Sequence, residues 1–264
     1  MMKYLLYVTF CLIVFAGCKK STDTTHYGKI QIVFNHTVSG NPLALDTLIY
    51  HTATMHDYKV ADLQYFISDI TLFHDGGNLI LLNSDEGIHY VDARVPSTFD
   101  WTLNDELPTG TYDSLAFTFG INAVKNVSNR FPNPPERDMA WPDILGGGYH
   151  YMKMNLVYKN SQGTATKPFM FHLGIGQLYS SSIPDPDSIT GYVQNYFPVT
   201  LNTRFEVISG AVRTIQCTML IDHWFDGVES FDFDNYPGGI MQYQAGMHQA
   251  CVNGRNAFTG SVIK

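Results

Sequence analysis

The chain has 264 residues, 45% of them hydrophobic and 14% aromatic, enough apolar material for a sizeable core and too much for wholesale disorder. A formal charge of −8 argues against a nucleic-acid partner, which needs a surplus of Lys and Arg to neutralise phosphate. Beyond residue 18 no stretch approaches the roughly 20 apolar residues of a membrane-spanning helix, and no compositional shift marks a second domain.

The first residues read as a targeting segment. Met1-Met2-Lys3 gives a positive start, Tyr4 to Ala16 is apolar, and Phe15-Ala16-Gly17-Cys18 has the small residues of a lipoprotein cleavage box. Residues 1–17 are therefore the expected signal peptide, Cys18 the lipidated N-terminus, residues 18–27 a polar tether and residues 28–264 one domain. An ordinary signal peptide that happens to contain Cys18 is the alternative. The expected location is extracytoplasmic and membrane-anchored, in the periplasm on the outer membrane or at the cell surface. Cys11 leaves with the leader and Cys18 is occupied by lipid, so Cys217 and Cys251 remain. In an oxidising compartment two such cysteines are expected to form a disulfide; ligation of a soft metal is the other possibility.

Period-two alternation dominates the rest. Lys29 to His36 puts Ile30, Ile32, Phe34 and His36 on one strand face, and Leu63 to Phe73 is a mostly apolar strand. Asp75-Gly76-Gly77-Asn78 reads as a tight turn into Leu79 to Leu82. Further strands are expected over Tyr112 to Phe119, Tyr149 to Tyr158, Lys167 to Leu173 and Phe205 to Ile221. Asp57 to Ile67 is the only place where a short helix fits. Two long loops, Ile121 to Gly148 and Leu178 to Val199, are functional or disordered by length alone, and the aromatic residues and glycines of the first predict that it packs on the sandwich. The expected fold is all-β, a single-domain antiparallel β-sandwich with long ordered loops.

No phosphate loop, nucleophile elbow, zinc-protease helix or dinucleotide fingerprint is present, so no enzyme is expected. Asp226 to Asp234 offers carboxylates for calcium but lacks the EF-hand spacing, and a solvated loop is the plainer reading. The unusual feature is ten His and ten Met. Imidazole and thioether select copper, above all Cu(I), over hard cations. Alternation places His150, Met152 and Met154 on one face, and Met170 and His172 on another. The short Asn160-Ser161-Gln162-Gly163 link makes the two segments antiparallel neighbours, within reach of one ion. His36 ends an apolar strand face, and His248 lies near the C-terminus. Each also fits a plain role, His as hydrogen-bonded packing and Met as core filling. His26, His51, His56, His74 and His89 read as surface or turn residues, and His223 as packing.

An ordered set of segments carries a resemblance over nearly the whole mature chain. They are Val60-Ala61-Asp62-Leu63-Gln64-Tyr65-Phe66-Ile67-Ser68-Asp69-Ile70, Leu107-Pro108-Thr109-Gly110-Thr111-Tyr112, Phe117-Thr118-Phe119-Gly120-Ile121-Asn122, Met139-Ala140-Trp141 to Gly148-Tyr149, Phe171-His172-Leu173-Gly174, Ile221 to Gly227, and Met247-His248 to Phe258. Together they resemble the MbnP/CorA-type periplasmic copper-binding proteins. The resemblance implies a β-sandwich holding one copper ion through histidines, with His172 the best-matched ligand, His36 next and His248 behind them. It also implies a tryptophan oxidised to kynurenine by a partner similar to a di-haem cytochrome c peroxidase, with Trp141 the candidate and Met139 beside it. Relatives commonly carry Met-x-Trp-x-Trp-x-x-Gly-Tyr; here one Trp is missing and the spacing to Tyr149 is two residues longer. His150 and Met152 then offer ligands that need no oxidative maturation. The resulting expectation is a lipid-anchored copper protein that sequesters or transfers the metal. The alternative is a surface module for glycan or protein, using Tyr179, Tyr192 and Tyr196 with purely structural histidines.

Overall fold

Alternating side chains in β1 (Tyr27–Val38) bury Ile30, Ile32, Phe34 and His36, while Lys29, Gln31, Val33 and Asn35 stay half-buried on the other face. The structure is a computed structural model that describes residues 26–74 and 78–263. The signal segment with Cys18, nearly all of the tether, and residues 75–77 of the expected turn lie outside the described residues. Among the described residues no helix is long and apolar enough to cross a membrane.

The other main strands are β2 (Asp57–His74), β3 (Gly110–Phe119), β4 (Met152–Lys159), β5 (Thr166–Leu173), β6 (Phe197–Leu201), β7 (Val212–Leu220) and β8 (Phe258–Val262). The larger sheet runs β5–β4–β2–β3–β6 and the smaller β8–β7–β1, with short strands added at their edges. The ladders between these strands are antiparallel except β1–β7, which is parallel from Lys29/Val212 to Thr37/Leu220. Inner faces meet in an aromatic core: Phe34 of the small sheet lies 6.3 Å from Tyr65 of the large one, and Phe258 packs 5.4 Å from both Phe117 and Phe119. Each fully buried side chain of this size contributes about 1.5–3 kcal/mol. The architecture is the all-β sandwich that the alternation predicts.

Two local expectations fail for identifiable reasons. Asp57 to Ile67 is extended, the first half of β2. A bulge opposite the Asn155/Leu156 step breaks the alternation at Ala61, so buried Val60, Leu63 and Ile67 fall at helix-like spacing while the backbone stays in the sheet. The helix is instead α1 (Gln244–Gly254), whose buried residues are Gly246, Met247, Ala250, Cys251, Asn253 and Gly254. That spacing is helical, but the residues are mostly small, so the stripe lacks the apolar bulk that marks an amphipathic helix. Smallness serves packing: Gly254 lets the helix lie directly on Trp224.

The expected disulfide is also absent. Cys217 and Cys251 are both buried free thiols. Cys217 is aimed from β7 into the core, whereas Cys251 points from α1 at the carbonyl oxygen of Asn195, 3.2 Å away. Pairing demands facing Cβ vectors within a narrow distance, and a cysteine count carries no such information. Burial pushes both thiols up, Cys251 to about 12. Neither joins a group of metal-binding side chains among the described residues.

Both long loops carry structure of their own. In the second, Gly176–Tyr179 pairs with Ile189–Val193 as a hairpin. The first lies across the outer face of the large sheet, where Phe131 stacks on Phe66 at 5.5 Å and its N–H donates to the Tyr149 hydroxyl at 2.8 Å.

Candidate metal centre

Strand parity assigns the two faces of the large sheet. Phe169, Phe171 and Leu173 of β5 enter the core with Met152, Met154 and Leu156 of β4, leaving His172, Lys153 and Asn155 on the outer face. Lys153 stands opposite His172 on one side and Gln64 on the other, and Asn155 stands opposite Asp62. An outward histidine is ordinarily wet, yet His172 is only 6% exposed. The cover is the 136–149 segment, strapped down where Lys153 Nζ donates to the Asp138 carbonyl at 3.3 Å.

The cover brings two more side chains to His172. Trp141 N–H donates to the Gly148 carbonyl, and the Ala140–Tyr149 bridge closes a short clasp. Gly146, Gly147 and Gly148 turn the chain back with φ of 113°, 68° and 77°, a left-handed run that residues with a Cβ resist. Within the clasp the Trp141 indole lies over Gly174, where a Cβ would stand 2.5 Å from its Cε3. The indole N–H donates to the Leu145 carbonyl at 3.2 Å, which also accepts from Gln177 at 2.8 Å. Trp141 meets His150 edge-to-face at 4.6 Å, and His150 meets His172 at 5.1 Å with an interplanar angle of 84°. The result is a buried Trp141–His150–His172 stack.

Each ring in this stack has one nitrogen engaged. His150 Nδ1 lies 3.0 Å from the Met139 carbonyl oxygen, and His172 Nε2 lies 2.9 Å from Asn155 Oδ1. His172 Nδ1 is buried with no hydrogen-bond partner, an arrangement that costs about 1–3 kcal/mol unless something else occupies it. Burial pushes His172 down to about 3, helped by neighbouring His150 and Lys153, and burial pushes His150 down to about 4. Both rings are therefore neutral at physiological pH, as coordination requires. Two neutral imidazoles in contact, one of them with a buried nitrogen that has no partner, suit a borderline or soft metal ion.

A family model described as MbnP matches residues 27–242. The chain belongs to the MbnP family. This family is associated with copper. Among solved structures, MbnP from Methylosinus trichosporium is similar at 17% identity with a TM-score of 0.53, over 78% of this chain and 79% of that one; that likeness is one of fold. No curated protein sequence matches the chain.

Within this MbnP-family fold the other candidate residues go elsewhere. His36 lies inside the sandwich, its Nε2 3.0 Å from the Tyr65 hydroxyl and its ring edge-on to Phe99 at 5.3 Å, so it is separated from His172 by the large sheet. Burial holds it down to about 4. His248 is exposed on α1, outside the stack. Met152 points into the core beside Leu173, because regular pairing starts only at Met152 and His150 precedes it in an irregular stretch. Met139 is buried and serves His150 through its carbonyl oxygen. The glycan-type alternative gains no platform: Tyr192 is exposed, but Tyr179 bonds Gln177 and Tyr196 packs edge-on against Tyr151.

The sequence reading missed His56, which is fully buried rather than at the surface. Its Nδ1 faces the Lys159 carbonyl and its Nε2 faces Asp232, both at 2.9 Å. With Asp234 it forms a group whose ligand atoms lie within 4.8 Å of one another, the one such group of three or more His, Cys, Asp or Glu among the described residues. Its oxygens are already served: Asp234 accepts from Tyr158 and Ser161, and Asp232 from the Asp234 N–H. Both nitrogens of His56 already face acceptors. The group ties the 231–235 turn to β4, and the spacing of Asp232 and Asp234 alone does not reveal that His56 reaches them.

Proposed function

We propose that this MbnP-family protein is an extracytoplasmic, lipid-anchored copper-binding protein that sequesters the metal or hands it on and catalyses no reaction. The observation that carries this reading is the buried pair His150 and His172, neutral, 5.1 Å apart and with the partnerless Nδ1 of His172 beside His150. Nitrogen donors without carboxylates favour copper over calcium or magnesium. Trp141 roofs the pair and shields it from water. Its indole offers only an N–H, which Leu145 already holds, so unmodified Trp141 is a lid and not a ligand. Oxidation to kynurenine by a di-haem cytochrome c peroxidase-like partner would turn the indole beside His150 into a group that carries an aniline nitrogen and a carbonyl. A cavity of about 250 Å³ bordering Trp141, with Ser128, Asn129, Pro142 and Asp143 in its wall, supports access from that side.

The direct test is Cu(I) titration of the purified protein against a competing chelator, repeated with His150→Ala and His172→Ala. Loss of high-affinity binding in both variants is expected; undiminished binding in either removes that residue from the site. Intact mass and metal analysis of protein from its native host read lipidation at Cys18 and oxidation at Trp141 in one sample.

A further inference from the structure

The atoms that face copper are set by a hydrogen-bond chain running across the outer face of the large sheet. Arg94 Nε donates to Asp62 Oδ1 at 2.7 Å, and Arg94 is itself fixed by Asp46 at 2.6 Å. The second oxygen of Asp62 accepts from Asn155 Nδ2 at 3.3 Å. Burial alone would raise the Asp62 carboxyl, but the hydrogen bonds from Arg94 and Asn155 outweigh it and hold the group below the usual carboxylate range. An ionised carboxylate only accepts, so the amide nitrogen of Asn155 must face Asp62 and its oxygen must face His172. That oxygen is also an acceptor, so His172 must present Nε2–H to it. In a neutral ring the remaining nitrogen, Nδ1, is then a bare lone pair. It is this atom that is buried without a partner. At His150 the same logic runs in the opposite sense. The Met139 carbonyl accepts from Nδ1–H, which leaves Nε2 as the lone pair.

We propose that the Arg94–Asp62–Asn155 chain holds His172 in its Nε2–H form, so that copper is taken by unlike atoms of the two rings, Nδ1 of His172 and Nε2 of His150. This rests on the copper-binding reading above and deepens it. Asn155 and Asp62 are positioning residues: they touch neither the metal nor its ligand atoms. Partners of this kind typically change metal affinity about 10–100-fold when removed.

The test begins with metal-free protein labelled with ¹⁵N at histidine, whose two-bond ¹H–¹⁵N correlations assign the tautomer of each ring. The expected spectrum shows His172 protonated at Nε2 and His150 at Nδ1. Asn155→Leu, which removes the acceptor, is expected to give His172 mixed tautomers and to weaken Cu(I) binding by about 10–100-fold. The exchanged pair Asn155→Asp with Asp62→Asn keeps an acceptor toward His172 and a donor between the two side chains, and restores the Nε2–H form, an outcome that a merely structural role for Asn155 does not predict. Should the leucine variant fail to fold, Asp62→Asn serves instead, because it lets the Asn155 amide turn its nitrogen toward His172. On adding Cu(I), which is diamagnetic, the ¹⁵N shift changes should fall on His172 Nδ1 and His150 Nε2. A His172 protonated at Nδ1, or copper-induced shifts at His172 Nε2, overturns the proposal. The expected tautomers with no Cu(I) binding overturn the copper reading while leaving the role of the relay intact.

Discussion

His36 and His172 are both buried, both held neutral by burial, and both sit on strands of the same sandwich, yet their surroundings differ. His36 faces inward, with its Nε2 bonded to Tyr65 and its ring enclosed by Phe99 and Tyr65. His172 faces outward under a loop, with one nitrogen aimed by Asn155 and the other left bare beside a second imidazole. Burial and a depressed pKa do not distinguish a ligand from packing. The state of the second nitrogen, and what stands next to it, does.

The largest expected effect separates the two directly. His172→Ala should lower Cu(I) affinity by at least about 100-fold, since a two-imidazole site left with one donor loses most of its binding energy, whereas His36→Phe should leave affinity within about threefold. A competition titration checks both, and a comparable loss in the His36 variant would break the distinction. The roles reverse for stability: His36→Phe removes the bond to Tyr65 and should cost about 1–3 kcal/mol in chemical denaturation.

Acid should act on both regions together. Unfolded rings take up protons near pH 6.5, whereas His36, His150 and His172 do so only near 3–4 when folded. Between those limits the unfolded chain binds more protons, so stability is intact above about pH 6.5 and is lost progressively as pH falls toward 4. At about 1.4 kcal/mol per pKa unit the contribution is at most roughly 3–5 kcal/mol per ring. Denaturation midpoints of metal-free protein at pH 7, 5.5 and 4.5 measure it, and a flat profile would show that the rings are open to water.

Gly174→Ala drives a methyl group into the Trp141 indole and should cost about 1–3 kcal/mol by overpacking. It should also loosen the Trp141 cover beside the His150–His172 pair without touching His36, which tryptophan emission and the same titration report. The smallest effects belong to the periphery. His248→Ala should change neither affinity nor stability measurably, and thiol titration should find Cys217 and Cys251 unreactive in the folded protein and both reactive after unfolding.

Much of this was readable from residue order because strand alternation is a local rule. The β1 inward face, the antiparallel pairing of β4 with β5, and the shared outward face of Met170 and His172 follow from parity and a short connection. Parity failed where the backbone left the regular sheet. The Ala61 bulge imitated helical spacing, His150 lies before its strand begins, and α1 hid behind small residues.

The sequence by itself determined the sandwich, the family and the histidines worth weighing, since alternation, turn residues and an ordered set of segments are properties of the chain read in one dimension. Only the tertiary structure decided that Trp141 and His150 come to His172 while His36 is walled off by a sheet, and that the two cysteines never meet. The reason is geometric. A lone pair becomes a metal donor through what surrounds it in space, and that depends on which face a strand turns outward and which distant loop closes over it.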